Sequence, residues 1–132
     1  MDETQLQALA ELVGKVPEIR LAILFGSTAR GRERPDSDID LAVAGDRLLH
    51  VAVRAKLIES IALVYGRPID LVDLREAGYS LLREALLHGR LIHCVDPVLL
   101  AELKKKMLFD REDFLPIQRR ALAERRRKWI GT

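Results

Sequence analysis

The stretch LFGSTARGRERPDSDIDLAV, from Leu24 to Val43, joins two apolar segments through a glycine turn and a charged loop. Its second apolar segment begins with Asp38 and Asp40, although acidic residues are depleted in strands. Side chains alternate across a strand, so both carboxylates should share one face while the apolar residues between and after them face a core. The pair indicates either an exposed polar strand end or a cation site.

Two features of this stretch suit a phosphate group and a divalent cation. Gly26-Ser27 follows the first strand and can open a short helix, which would present free backbone N–H groups of the kind that bind phosphate. Two neighbouring carboxylates repel each other, and a bound Mg²⁺ or Mn²⁺ removes that penalty. An ordinary strand-to-helix turn is the alternative interpretation of the glycine, and neither feature alone excludes the alternatives.

A third carboxylate, Asp70, lies inside a short apolar strand. It could converge with Asp38 and Asp40 if the two strands are neighbours. Asp73 ends the same strand and is followed three residues later by Glu76, a capping-box pattern, so we expect Asp73 to cap the next helix. Three carboxylates beside a phosphate-binding turn indicate a two-metal site for phosphoryl transfer.

The rest of the sequence predicts alternating helices and strands, an α/β or α+β arrangement with a small sheet flanked by helices. We expect helices over 2–15, 46–65, 74–88, from Asp96-Pro97 to about 109, and over 117–129, and strands over 19–25, 38–43, 68–72 and 90–95.

Composition and charge narrow the class of protein. The 132 residues contain a single cysteine and no apolar run long enough to span a membrane, so we expect a cytoplasmic protein. Residues 98–132 carry 10 basic and 5 acidic side chains, whereas residues 1–97 carry 12 and 15. We therefore divide the chain into a domain over 1–97 and a basic helical extension over 98–132. Such an extension can bind nucleic acid or an acidic partner, but a solvated helix face is favoured.

Gly26-Ser27, ten intervening residues and Asp38-Ile39-Asp40 together form a GS-x10-DxD signature. With this signature the chain resembles the nucleotidyltransferases of the DNA polymerase β superfamily, and the segments LFGSTARG and SDIDLAV are similar to its minimal nucleotidyltransferase (MNT) branch. The resemblance covers roughly residues 5–95. It implies the polymerase β-like fold, with a small mixed sheet flanked by helices and a helical C-terminal tail.

The resemblance also assigns roles to individual residues. It implies that Asp38, Asp40 and Asp70 are the catalytic carboxylates that hold two Mg²⁺ ions, and that Gly26 and Ser27 grip the triphosphate of ATP. Arg30 could contact phosphate as well, although a solvated charge is nearly as good an interpretation.

Many members of the MNT branch are antitoxins paired with HEPN-domain ribonucleases. The resemblance therefore implies a Mg²⁺-dependent enzyme that transfers AMP from ATP to a tyrosine hydroxyl of a HEPN toxin. A chain this short has little protein with which to enclose a small acceptor, which also favours a protein acceptor. Two alternatives stay open: a nucleotidyltransferase acting on a small molecule or an RNA end, and an antitoxin that binds its toxin without catalysis.

Overall fold

The computed structural model describes residues 1–29 and 37–110. Helices and strands alternate along them in the order α1 (Glu3–Gly14), β1 (Leu21–Phe25), α2 (Gly26–Ala29), β2 (Ile39–Ala44), α3 (Val51–Tyr65), β3 (Ile69–Asp73), α4 (Tyr79–His88) and β4 (Arg90–Cys94), followed by a helix, α5, from 97 to the end of the described part at 110.

The four strands form one mixed sheet in the order β3-β2-β1-β4. β1 is antiparallel to both β2 and β4, whereas β2 and β3 run parallel. The register places Asp40 opposite Phe25 on one side and opposite Asp70 on the other. The predicted fold, a small mixed sheet flanked by helices, is confirmed.

Helices cover both faces of this sheet. One core, beneath α1 and α3, includes Leu9, Leu24, Leu41, Val43, Leu57 and Ile61. The other, beneath α4 and α5, includes Leu21, Ile23, Ala42, Leu82, Leu99 and Leu103. Alternate residues of β1 and β2 enter opposite cores, so these two central strands are buried on both faces. Asp40 has the parity of Ala42 and therefore lies on the α4 face of the sheet.

Two helices begin later than the sequence predicted, and both differences involve Asp73. Its side chain is fully buried, and its carboxylate accepts hydrogen bonds from the backbone N–H groups of Leu49 (2.9 Å) and Arg75 (3.0 Å). The first bond holds the residues before α3 in a loop, so α3 begins at 51 rather than 46, with His50 as its N-cap. The prediction that Asp73 caps α4 was wrong, because α4 begins at 79 and its N-cap is Gly78.

The predicted helix start at Asp96 is confirmed, since its Oδ1 accepts a hydrogen bond from the Leu99 backbone N–H at 3.1 Å. Leu99, Leu103 and Met107 of α5 are buried in the second core. The helix predicted over 117–129 lies outside the described residues. Within 1–29 and 37–110, every helix is too short or too polar to cross a lipid bilayer.

Candidate active site

The parallel pairing of β2 and β3 brings the predicted carboxylates to one end of the sheet. Asp40 and Asp70 are register partners on adjacent strands, so their side chains leave the sheet on the same face. Asp38 lies two residues before Asp40, just outside β2. Asp40 is partly buried, whereas Asp38 and Asp70 are exposed. Asp38 and Asp70 thus both lie near Asp40, the most buried of the three carboxylates.

Asp40 lies within the electrostatic influence of the other two carboxylates. Burial raises the pKa of the Asp40 carboxyl, and the negative charges of Asp70 and then Asp38 raise it further. Repulsion of this kind makes the ionised carboxylate costly in the folded protein. A cation placed among the three side chains would remove that cost.

The glycine turn lies directly against Asp40. Gly26 follows β1 with a φ of +70°, a left-handed conformation that L-residues with a side chain rarely adopt. A Cβ atom at this position would overlap Asp40 Oδ2 and lie 3.2 Å from its Cγ. Only glycine allows the backbone of the turn to approach the carboxylate this closely. The turn that was predicted to bind phosphate is therefore adjacent to the carboxylates that were predicted to bind metal.

A pair of hydrogen bonds fixes the backbone on either side of Asp38. Arg67 Nε donates to the Ser37 carbonyl oxygen at 2.9 Å, and the Ile39 N–H donates to the Pro68 carbonyl oxygen at 2.9 Å. The two residues directly before β3 thus fix the backbone at the point where β2 begins. No role was predicted for Arg67, because the bond joins residues 30 positions apart and leaves no local pattern in the sequence.

These residues fit a divalent cation that is shared with a phosphate ligand. Within the described part of the chain, no three His, Cys, Asp or Glu side chains already enclose a metal position. Mg²⁺ commonly binds through one or two carboxylates together with substrate phosphates and water, rather than in a cage made only of protein. Asp40 with Asp38 or Asp70 offers such an oxygen pair, and the raised pKa of Asp40 marks where positive charge is needed.

Ser27, Arg30 and Asp73 are the other residues for which the sequence predicted a role. Ser27 lies in α2 directly after Gly26, and Arg30 lies outside the described residues. Asp73, by contrast, is three residues from Asp70 on the same strand, and its register partner Val43 belongs to the core beneath α1 and α3. Asp73 therefore lies on the opposite face of the sheet from Asp70, which separates its structural role from the site.

Comparison with known proteins identifies several relatives. Protein adenylyltransferase MntA of Shewanella oneidensis is 38% identical over 76 residues, which cover 57% of this chain and 54% of MntA. The match thus spans about half the length of this relative. A chain in the crystal structure of a toxin–antitoxin with AMP-PNP superposes with a TM-score of 0.72 at 26% identity, covering 94% of this chain and 97% of that one.

A third relative comes from the structure of a tri-AMPylated S. oneidensis HEPN toxin in complex with an MNT antitoxin. Its TM-score is 0.72 at 24% identity, and the match covers 94% of this chain and 97% of that chain, which shows a shared fold. The family model described as polymerase beta, nucleotidyltransferase matches residues 7–98, more than half of the sequence. The chain therefore belongs to the polymerase beta nucleotidyltransferase family.

Proposed function

We propose that this protein transfers AMP from ATP to a tyrosine hydroxyl of a HEPN-domain toxin and thereby acts as the antitoxin of a toxin–antitoxin pair. Its likeness to the adenylyltransferase MntA and to a toxin–antitoxin chain solved with AMP-PNP supports this activity, this nucleotide and this type of partner. The cytoplasmic location expected from the sequence belongs to the same proposal.

The observation that carries the proposal is the contact between the glycine turn and the coupled carboxylates. Gly26 brings backbone to the edge of Asp40, and Asp40 is the register partner of Asp70. A triphosphate bound at the turn would therefore place its phosphates beside the aspartates. Asp38, Asp40 and Asp70 would hold Mg²⁺, which supplies positive charge against the α-phosphate and the departing pyrophosphate.

The chain's own residues then have distinct roles. Gly26 and Ser27 orient the triphosphate, and Asp38 and Asp40 fix its position relative to the sheet. Asp70, which is exposed, would accept the proton of the incoming hydroxyl. The acceptor oxygen forms a bond to the α-phosphorus while the bond from that phosphorus to the pyrophosphate oxygen breaks, so AMP ends on the acceptor and pyrophosphate is released.

The test is transfer of labelled AMP from ATP to a co-expressed HEPN-domain toxin, with the mass of the toxin measured in parallel. We expect a mass increase of one or more AMP units that depends on Mg²⁺. Asp38→Asn should lower transfer by at least about 100-fold, since preorganised charges at a transition state contribute several kcal/mol. Asp46→Asn is the matched control, because this carboxylate is 75% exposed and follows the opposite end of β2.

Each other outcome points to a different function. Inhibition of the toxin that persists in Asp38→Asn, without any mass increase, would favour an antitoxin that acts by binding alone. Transfer to a small molecule or an RNA end, with the toxin unmodified, would favour a different acceptor. Equal loss of transfer in Asp38→Asn and Asp46→Asn would contradict the assignment of the site.

A further inference from the structure

Two arginines form equivalent hydrogen bonds at the two ends of β2. Arg67, before β3, donates from Nε to the carbonyl oxygen of Ser37, which precedes β2. Arg75, after β3, donates from Nε to the carbonyl oxygen of Gly45, which follows β2. Both bonds are partly buried, and both join residues 30 positions apart. The two side chains thus tie β3 to β2 in the same way at opposite ends.

Only one of these ends carries the candidate site. Ser37 is the immediate neighbour of Asp38, which lies outside β2 and therefore lacks the ladder bonds that would hold it within a strand. Its two neighbouring peptide groups are instead held by Arg67 and by the Pro68 carbonyl oxygen. These two bonds fix the backbone on both sides of Asp38, directly before the pairing of β2 with β3 begins, and so set the position of Asp38 relative to Asp70.

We propose that Arg67 is a positioning residue for the metal-binding carboxylates. It holds the Asp38 backbone at the level of β3, next to Asp40 and Asp70, so that Asp38 can pair with Asp40 on a cation that is shared with phosphate. This inference rests on the proposed function and adds a residue to it. Partners of this kind, one step removed from the metal ligands, typically change metal affinity by about 10- to 100-fold when they are removed.

The experiment compares Arg67→Ala with Arg75→Ala in the full-length protein. Each variant loses its Nε hydrogen bond to the backbone next to β2, so we expect a decrease in the urea midpoint of unfolding in both. Titration with Mn²⁺ alone, followed by electron paramagnetic resonance, should show an affinity at least about tenfold weaker in Arg67→Ala. The affinity of Arg75→Ala should stay close to wild type, and Arg67→Lys, which retains a donor, should recover part of the loss.

Amide NMR signals provide a readout that needs no metal. Arg67→Ala should shift the signals of Asp38 and Asp40, whereas Arg75→Ala should shift those at the opposite end of β2. Equal Mn²⁺ affinities in the two alanine variants, whether both weakened or both unchanged, would overturn the positioning role. If Arg67→Ala is unfolded by circular dichroism, the two glutamine variants, Arg67→Gln and Arg75→Gln, are compared under the same criteria.

Failure of the proposed function would look different. A wild-type protein that binds neither Mn²⁺ nor ATP would contradict the nucleotidyltransferase site, whatever Arg67 does. The amide signals would still decide the positioning role in that case, since unchanged Asp38 and Asp40 signals in Arg67→Ala would overturn it independently.

Discussion

Replacing Gly26 with alanine should disable the site while leaving the protein folded. Two effects add at this position. The left-handed φ of +70° disfavours any residue with a Cβ, by about 1–2 kcal/mol. The new methyl group would also overlap Asp40 Oδ2, so either the turn or the carboxylate must move by a distance on the order of 1 Å to restore van der Waals contact.

The second effect determines the loss of activity. Misplacement of a catalytic group by about 1 Å can lower a rate by about 100-fold, because the reacting atoms lose their near-attack geometry. We therefore expect Gly26→Ala to retain the native circular dichroism spectrum and to lose about two orders of magnitude in AMP transfer. Transfer of labelled AMP and urea unfolding, the latter without metal, measure the two effects separately.

Gly66 provides the matched control. It has nearly the same left-handed φ, +61°, at the end of α3, but a Cβ there would meet nothing within 4 Å. Gly66→Ala should therefore lose about 1–2 kcal/mol of unfolding free energy and keep its transfer activity. Any additional loss of stability in Gly26→Ala is the cost of the overlap with Asp40.

A double-mutant cycle tests the overlap itself. Asp40→Ala removes Oδ2, so in that background Gly26→Ala should cost no more stability than Gly66→Ala does. Gly26→Ala with wild-type transfer would refute the argument that the turn and the carboxylate are fitted to each other. So would a stability cost of Gly26→Ala that is unchanged when Asp40 is alanine.

Three further predictions concern the acidic residues. Asp73→Ala should lower the unfolding free energy by about 3–5 kcal/mol, because two backbone N–H groups lose a buried charged acceptor. Asp70→Asn, by contrast, should leave the urea midpoint nearly unchanged and reduce AMP transfer. Asp40→Asn should raise the melting temperature in EDTA, since burial and neighbouring charge raise the pKa of this carboxyl and make its ionised form costly. Added Mg²⁺ should raise the melting temperature of the wild type more than that of the variant. The Leu99 N–H and then Arg20 lower the pKa of Asp96 below its ordinary 3.8. The contribution of Asp96 to the free energy of unfolding is therefore present above that pH and is lost as the pH falls through the lowered value. Urea midpoints measured across this range should fall less steeply with decreasing pH in Asp96→Asn than in the wild type.

The features that could be predicted from the sequence are those that depend on neighbouring residues in the chain. The alternation around Asp38 and Asp40 follows from the two-residue repeat of a strand. The Asp96 cap follows from the position of Asp96 directly before Pro97, at the start of a helical pattern. The GS-x10-DxD signature made the fold predictable as well, because the signature resembles that of a known family.

Features that depend on distant pairing could not be predicted in the same way. The capping-box pattern after Asp73 was misleading because its carboxylate bonds to Leu49, 24 residues earlier in the chain. A buried carboxylate binds whichever N–H groups the packed structure brings within reach, and this long-range contact replaced the local cap. The register that sets Asp40 against Asp70, and the Arg67 bond to Ser37, likewise arise only when β2 and β3 pair.

The repulsion centred on Asp40 bears on why this end of the sheet is built as it is. Burial and the negative charges of Asp70 and Asp38 raise the pKa of Asp40 and oppose folding, while both cores of the sheet are packed with aliphatic side chains. Conflict of this kind at a rim, with no ion pair to these aspartates among residues 1–29 and 37–110, is typical of a functional site rather than of a stabilising network. A cation that binds only the folded chain stabilises it in proportion to the logarithm of its concentration over the dissociation constant. Folding stability and cation binding at Asp40 are therefore linked: replacing the carboxylate by an amide relieves the repulsion and removes a charged ligand of the cation in the same step.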